Sequence, residues 1–468
     1  MQAATFLAYL AAAALFIVGI RRLRRPETAR SGNTIAAFGM AVALVATLFV
    51  IEFRALLPIG AAALIGAVIG AVSAQKVKMT AMPQMVAAYN GVGGGAAALI
   101  ALSEFYHLQT TGEQNLVASV TVPLTILIGS VSFAGSAIAF LKLQEVAFTG
   151  SVSFPLQQVV NAVLFLGILA LAANAVMGGA LIPSLPPVPS VVAVLMASLV
   201  LGVLVVIPIG GADMPIVISL LNAFTGLAAA ASGFVLNNYI LIIGGTIVGA
   251  SGTILTRLMS SALGRPLGKI IFAGIAASGT GKRAPGEERP VHDASPKEVA
   301  EYLADEARKV VIVPGYGLAV AQAQGPMREL METLEEQGKE VLFGIHPVAG
   351  RMPGHMNVLL TEAGVPYEKL LDLEDVNPEF DDTDAAIIVG ANDVVNPAAN
   401  DPDQNTPISG MPILEVEKAK RVIFIKRSLS PGFAGVDNPL FYNTEKTMML
   451  FADAKQGLQE VLSALKGA

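Results

Sequence analysis

The chain has 468 residues, of which 54% are hydrophobic and 14% are charged, whereas soluble globular proteins have about 25% charged residues. A formal net charge of −6 gives no basic field for nucleic acid, so we expect no nucleic-acid partner. The sequence has no cysteine, which excludes disulfides and thiolate chemistry, and its four histidines lack His-x-x-x-His spacing, so we expect no metal site.

Charged residues are distributed unevenly along the chain. Between Lys142 and Arg257 the only charged residues are Glu145 and Asp213, whereas acids and bases are frequent after Lys282. This distribution predicts a membrane part and a soluble part. We place the transmembrane domain at residues 1–263, a linker at 264–291 and a soluble domain at 292–468.

Long apolar runs predict about nine membrane-spanning helices, because lipid cannot satisfy backbone groups outside a helix. The predicted spans are 3–20, 33–51, 55–74, 83–103, 116–141, 155–178, 189–209, 214–235 and 238–262. Arginines follow the first run instead of preceding it, which predicts a retained span and not a signal peptide.

Basic residues predict the orientation of these spans. They follow spans one, three, five and nine, whereas the loops after the even-numbered spans contain only Arg54. Because positive residues are concentrated in cytoplasmic loops, we expect the N-terminus outside and the C-terminal domain in the cytoplasm.

After the linker, strand and helix patterns alternate. Strands are predicted at 309–314, 340–345, 369–373, 385–390, 421–426 and 447–451, and helices near 318–337, 353–364 and 453–466. This alternation predicts a soluble α/β, Rossmann-like domain with a parallel sheet.

A glycine-rich stretch, Gly315-Tyr316-Gly317, follows the first of these strands and opens a helix. In that context it predicts a dinucleotide fingerprint. Gly315 and Gly317 would let the backbone approach a pyrophosphate at the helix N-terminus, where amide donors favour negative charge. A plain turn is the alternative interpretation.

The ends of two strands favour NADP(H) over NAD(H). An NAD site needs an acid after the second strand to bind the ribose, and here Ile345 is followed by His346 and Pro347. The strand 421–426 runs into Lys426-Arg427-Ser428, two cations and a hydroxyl that would suit a 2′-phosphate. A solvated strand end is the alternative for these cations.

Several longer motifs resemble one family. "VPGYGLAVAQAQ", "FGIHPVAGRMPGHMNVLL", "GANDVVNPAA", "IKRSLSPGFAGVDNPLFY" and, in the membrane part, "GGADMP" resemble beta subunits of proton-translocating NAD(P) transhydrogenase. The resemblance covers essentially the whole chain. It implies hydride transfer from NADH to NADP⁺ coupled to proton movement. It also implies NADP(H) on this chain and NAD(H) on a separate alpha subunit. A two-fold dimer of alpha–beta units in the bacterial inner membrane is expected on the same ground.

The resemblance also implies a set of cofactor-binding residues. They are Gly315, Tyr316, Gly317, Ala319 and Val320 in the fingerprint; Val348, Ala349, Gly350, Arg351, Met352 and Pro353 at the pyrophosphate; Gly390, Ala391, Asn392, Asp393 and Val394, with Asp393 near the nicotinamide; Lys426, Arg427, Ser428, Leu429, Ser430, Pro431, Gly432 and Phe433 in a lid loop; and Asp453 before the last helix. Phe433 stands where the family often has tyrosine, and Asp437 adds an acid to the lid.

In the membrane part, Asn90, Ser136, Asn222 and Asp213 match positions that the family associates with proton conduction or its gate. Ser136 bonding to its own helix is an alternative, as are interhelical hydrogen bonds by the two asparagines. Relatives often carry histidine at position 90. Because asparagine cannot ionise, a histidine in a membrane helix of the alpha subunit is expected to titrate. The alternative is a water wire through Asn90, Ser136 and Asn222 in which no protein group titrates.

Two other functions are compatible with this domain organisation. One is a transporter or channel that is regulated by a cytoplasmic NADP(H)-sensing domain. The other is a membrane-anchored reductase that uses NADPH without moving protons.

Overall fold

The computed structural model describes residues 2–23, 26–50, 55–78, 81–112, 116–144, 152–210, 213–262, 267–268, 289–350, 354–401, 406, 408–432 and 434–467. The chain divides into two compact units, Met1–Pro208 with Val217–Thr256, and Ile209–Ile216 with Arg257–Ala468. The predicted order, a polytopic helical region followed by an α/β region with a parallel sheet, is confirmed.

Among the described residues, nine helices are long and apolar enough to cross a membrane. They are α1 (Gln2–Leu23), α2 (Pro26–Leu48), α3 (Leu56–Lys76), α4 (Met82–Thr111), α5 (Leu116–Leu143), α6 (Gln157–Val176), α7 (Pro187–Val206), α8 (Met214–Val235) and α9 (Tyr239–Ala262). Helix α4 continues past the end predicted from hydropathy and ends at Thr111; Gly112 follows as its cap with φ +73°, a conformation that favours glycine.

Glycines bring neighbouring helices of this region into backbone contact. A Cβ on Gly94 of α4 would lie 2.9 Å from the carbonyl oxygen of Gly129 in α5. A Cβ on Gly245 of α9 would lie 2.4 Å from the nitrogen of Ala230 in α8. Small residues at helix interfaces are typical of membrane proteins, where close packing replaces the hydrophobic effect.

The second unit contains a parallel sheet. In the part of the chain that the structure describes, its strands are β1 (Lys309–Pro314), β2 (Glu340–Ile345), β3 (Leu370–Asp372), β4 (Ala385–Val389), β5 (Arg421–Lys426) and β6 (Thr447–Phe451). Their order is β3-β2-β1-β4-β5-β6, which is the order of a Rossmann sheet. Strand order reverses between β1 and β4, so the crevice for a ligand is expected there.

Helices cover this sheet. They are α10 (Pro296–Asp305), α11 (Tyr316–Val320), α12 (Gln324–Glu336), α13 (His355–Glu362), α14 (Leu373–Val376) and α15 (Ala454–Gly467). The predicted helix near 318–337 is two helices, because Gln322 lies in the left-handed region at φ 52°. Helix α10 was not predicted, although Ser295 accepts a hydrogen bond from the Glu298 amide as an N-cap.

The core of this unit lies around the central strands. Every residue of β4 is buried, as expected for a parallel strand covered on both faces. Phe424 of β5 packs edge-to-face on Phe441, with ring centroids 4.9 Å apart. This rigid core supports the loops that follow β4 and β5.

Candidate functional site

The loops that follow β1, β2, β4 and β5 leave the carboxyl ends of parallel strands and therefore lie at one edge of the sheet. These loops contain most of the cofactor residues that the sequence predicts. Arg351, Met352, Pro353 and Phe433 lie outside the described residues. The structure thus brings the remaining loop segments together at the crevice between β1 and β4.

Glycines hold two of these loops in direct backbone contact. The Gly315 amide donates to the Val389 carbonyl at 2.8 Å, and the Gly317 amide donates to the Gly390 carbonyl at 2.9 Å. A Cβ on Gly315 would lie 2.3 Å from the Gly390 oxygen, and Gly390 itself has φ +65°. Glycine is therefore needed at these positions to join the two loops, and the amides of Gly315 and Gly317 are bonded within the protein.

The loop after β2 packs beside the fingerprint. The ring centroids of Tyr316 and His355 are 6.3 Å apart. Gly350 has φ +105°, and a Cβ there would lie 2.4 Å from Nδ1 of His355. Gly350 therefore lies directly against the buried side chain of His355. Among the predicted contacts, Ala319, Ala349, Ala391 and Val394 are buried below the loops, whereas Val320 is exposed.

Asp393 joins the loop after β4 to the loop after β5. Its Oδ2 accepts a hydrogen bond from the Ala434 amide at 3.0 Å. A Cβ on Gly432 would lie 2.4 Å from Oδ1 of the same carboxylate. The predicted lid loop therefore rests against Asp393, and glycine at position 432 allows this contact.

The first residue of the predicted lid is folded inwards. The Lys426 Nζ donates to the Ser430 carbonyl and lies 4.5 Å from the centroid of the Phe441 ring. Burial lowers the pKa of the Lys426 amine to about 8, although Asp393 and Asp437 oppose this shift. Lys426 thus stabilises the turn of the lid, while Arg427 and Ser428 have exposed side chains.

The rest of the lid lies at the protein surface. Ser430 and Pro431 are exposed, and the Ser428 hydroxyl donates to the Ser430 hydroxyl at 3.0 Å. Leu429 is partly buried against the core. Asp453 is the N-cap of α15, because its Oδ1 accepts from the Lys455 amide at 3.1 Å.

Asn392 has a buried side-chain amide in the loop that follows β4. The residue is 7% exposed, and its Oδ1 accepts from Nδ2 of Asn438 at 3.1 Å. Its own Nδ2 is buried and has no hydrogen-bond partner within the described part of the chain. Because a buried unsatisfied donor costs about 1–3 kcal/mol, this amide fits a bound acceptor such as a carboxamide or phosphate oxygen.

A cluster of polar side chains joins helices α4, α5 and α8. Nδ2 of Asn90 in α4 donates to Ser136 at 2.9 Å and to Ser132 at 3.3 Å, both in α5. The Ser132 hydroxyl donates to the Leu221 carbonyl of α8 at 2.9 Å and also contacts the Thr225 hydroxyl. Helices α4, α5 and α8 are therefore joined by consecutive hydrogen bonds. Oδ1 of Asn90 is buried and has no partner among the described residues.

The structure also describes the other two predicted proton-path residues, Asn222 and Asp213. The Asn222 side chain is exposed, and Thr225 of the same helix makes the contact with α5 instead. Asp213, which precedes α8, is 8% exposed and belongs to the second compact unit. Sequence reasoning missed Ser132 and Thr225. The spacing of Ser132 and Ser136, one helical turn apart, would have indicated a shared face.

Comparisons with known proteins cover both regions. A family model described as NAD(P) transhydrogenase beta subunit matches residues 5–464. Two proteins of Rhodospirillum rubrum named NAD(P) transhydrogenase subunit beta are each 45% identical to the chain over 468 residues. The match covers 98% of this chain and 99% of each relative.

Proposed function

This chain belongs to the family of NAD(P) transhydrogenase beta subunits, and on that premise we propose that it binds NADP(H) and couples hydride exchange with NADH to proton movement across a membrane. A beta subunit implies an alpha subunit partner, which in this proposal binds NAD(H). The proposed assembly is a two-fold dimer of alpha–beta units in the bacterial inner membrane. The N-terminus is outside and the C-terminal domain is cytoplasmic.

The proposed domain boundaries lie where the sequence changes from apolar to rich in charged residues. Residues 1–263 form the proton-conducting domain, 264–291 form the linker, and 292–468 form the NADP(H)-binding domain. Helix α9 ends at Ala262, and the residues from Pro296 onwards form the α/β unit, which supports these boundaries.

The observation that carries the cofactor assignment is the crevice between β1 and β4. It combines Nδ2 of Asn392, which has no partner among the described residues, with the exposed cation of Arg427 on the neighbouring loop. The residue after β2, where an NAD site needs an acid for the ribose, is a buried histidine, His346. A cation without the acid favours a 2′-phosphate, and therefore NADP(H).

When bound, NADP⁺ would supply the hydride acceptor. The chain's residues then have three tasks, which are to bind, to orient and to exclude water. Arg427 and Ser428 would bind the 2′-phosphate, and the loop that begins at Val348 would lie at the pyrophosphate. The lid, held by Asp393, would cover the site. No residue of this chain needs to act as an acid or base in hydride transfer.

Proton movement requires a different set of residues. Asn90 cannot ionise, so with Ser132 and Ser136 it would orient a hydrogen-bonded chain instead of carrying the charge. The titrating group in this proposal is a histidine in a membrane helix of the alpha subunit. Asp213 would act as a gate at the cytoplasmic side, and Asn222 would contribute from α8.

The free energy of a proton gradient is large enough for this role. A proton falling through ~150–200 mV releases ~3.5–4.6 kcal/mol, which shifts a redox ratio by roughly 300–2,000-fold. The two processes would be linked through a change in NADP(H) affinity, which is thermodynamic coupling between sites.

Titration of residues 290–468 with NADP⁺ and with NAD⁺ in a calorimeter tests the cofactor assignment. The proposal predicts that NADP⁺ binds at least tenfold more tightly than NAD⁺. Equal dissociation constants would contradict it.

A further inference from the structure

His346 ends β2 with its imidazole turned into the protein. The residue is 1% exposed. Its Nδ1 accepts a hydrogen bond from the Val348 amide at 3.2 Å. Because Nδ1 is the acceptor, the ring proton is on Nε2, which donates to the Pro412 carbonyl at 2.7 Å. Burial lowers the pKa of His346 to about 4, so this neutral tautomer persists at neutral pH.

The segment that His346 contacts also supports a second loop of the site. Two residues beyond Pro412, the Leu414 amide donates to the Val394 carbonyl at 2.9 Å. Val394 belongs to the loop that follows β4. The imidazole therefore connects the loop after β2, through the 412–414 segment, to the loop that carries Asn392 and Asp393.

We propose that His346 is a positioning residue for NADP(H), because it fixes the Val348 amide and with it Val348–Gly350, the described start of the loop that the proposed function puts at the pyrophosphate. Imidazole suits this task because it presents one acceptor and one donor on a rigid ring, whereas a carboxylate would present acceptors alone. Because the His346 side chain points into the protein, the end of β2 offers no carboxylate to the ribose. A carboxylate at that position would favour NAD(H). This inference rests on the proposed function.

Two substitutions separate the two hydrogen bonds. His346→Asn places an amide oxygen near the position of Nδ1 and keeps an acceptor for the Val348 amide. His346→Gln places an amide nitrogen near the position of Nε2 and keeps the donor to Pro412. His292→Gln is the matched control, because His292 is a partly exposed histidine that pairs with Glu298 at 2.8 Å.

The experiment uses the full chain assembled with its alpha subunit. The measured quantities are the dissociation constant of NADP⁺, the KM for NADH and the melting temperature without cofactor. We expect His346→Gln to bind NADP⁺ at least fivefold more weakly than His346→Asn, with an unchanged KM for NADH. His292→Gln should match the wild type in all three.

Either of two results would overturn the inference. One is NADP⁺ binding as tight as wild type in both variants, and the other is an equal loss in both, which would mean that His346 only fills the core. If the glutamine variant does not fold, His346→Leu, which has no acceptor at the position of Nδ1, replaces it in the comparison with asparagine. Failure of the wild-type protein to prefer NADP⁺ would instead contradict the proposed function.

Discussion

The Asp393 carboxylate accepts a hydrogen bond from the Ala434 amide at 3.0 Å, so the loop after β4 holds the loop after β5. The same carboxylate occupies the space where Gly432 would carry a Cβ. The lid that the sequence predicts is therefore fastened at one acidic residue beside the crevice. Substitution of Asp393 by alanine removes this hydrogen bond and leaves Arg427 and Ser428 in place.

Asp393→Ala should release NADP⁺ faster than the wild type. Hydrogen bonds to charged groups contribute about 1.5–3 kcal/mol, so we expect release to accelerate by about tenfold or more. Asp393→Asn is the matched variant, because its amide oxygen can still accept from Ala434, and it should release more slowly than the alanine variant. Stopped-flow displacement measures both rates. Equal rates for the alanine variant and the wild type would mean that the lid is held elsewhere.

Gly315→Ala should destabilise the C-terminal domain. The new Cβ would lie 2.3 Å from the Gly390 oxygen, and backbone atoms must move to accommodate it. Overpacking of this kind costs about 1–3 kcal/mol. Gly325→Ala is the control, since nothing lies within 4 Å of its Cβ position in α12. Urea unfolding should give a lower midpoint for the first variant alone; equal midpoints would contradict the close contact of the two loops.

Arg427→Ala should weaken NADP⁺ binding by at least about 1 kcal/mol, because a charged hydrogen bond to phosphate is lost. Binding of NAD⁺, which has no 2′-phosphate, should be almost unchanged. Arg421→Ala is the control, because Arg421 lies at the amino end of β5, whereas Arg427 follows its carboxyl end. Calorimetry with both cofactors measures the effect, and an equal loss for NADP⁺ and NAD⁺ would remove Arg427 from the phosphate site.

Acid should destabilise the C-terminal domain in a way that depends on His346. Its pKa is about 4 in the fold, whereas a solvent-exposed histidine has a pKa of 6.5, so the unfolded chain binds the proton more readily. The contribution of neutral His346 to the free energy of unfolding is therefore fully present above about pH 6.5. It falls by up to about 3 kcal/mol as the pH decreases towards 4. The urea midpoint of His346→Gln should fall less over this interval than that of the wild type. Parallel pH profiles would show that burial does not hold His346 neutral.

Ser132→Ala should slow proton-coupled turnover, because it removes the hydroxyl between Asn90 and Thr225. A neutral hydrogen bond contributes about 0.5–1.5 kcal/mol, so we expect a loss of roughly two- to tenfold with unchanged NADP⁺ affinity. Ser251→Ala, at an exposed hydroxyl bonded within α9, should have no effect. Proton uptake by proteoliposomes gives the comparison, and identical uptake for both variants would exclude Ser132 from the path.

Much of the fold follows from local pattern. The run from Val310 to Val313 predicted a buried strand, and β1 spans Lys309–Pro314. The break between α11 and α12 could not be predicted in this way, because it depends on Gln322 adopting a left-handed conformation that glycine or asparagine would usually signal. The start of α2 at Pro26 also differs from the prediction near residue 33. Proline is favoured at a first helical turn, which hydropathy does not detect.

For the site, strand order explains what the sequence could and could not predict. Loops at the carboxyl ends of parallel strands lie at one edge, so the meeting of Gly315 and Gly390 follows from the alternating pattern. The inward turn of His346 depends on Pro412, and that of Lys426 depends on Phe441. No local signal in the sequence indicates such distant neighbours. The membrane cluster likewise depends on which faces of α4, α5 and α8 meet, which composition leaves open.

Proteoliposomes containing this chain and its alpha subunit test the central claim most directly, which is that NADPH formation here is tied to proton movement. NADH and NADP⁺ are supplied on the side of the C-terminal domain, and NADPH is quantified in quenched samples by an NADPH-specific enzymatic assay, with and without an imposed proton gradient. A gradient of ~150–200 mV should shift the steady-state ratio of NADPH to NADP⁺ by up to roughly 300–2,000-fold, and an uncoupler should abolish the shift. An unchanged ratio with and without the gradient would contradict the account.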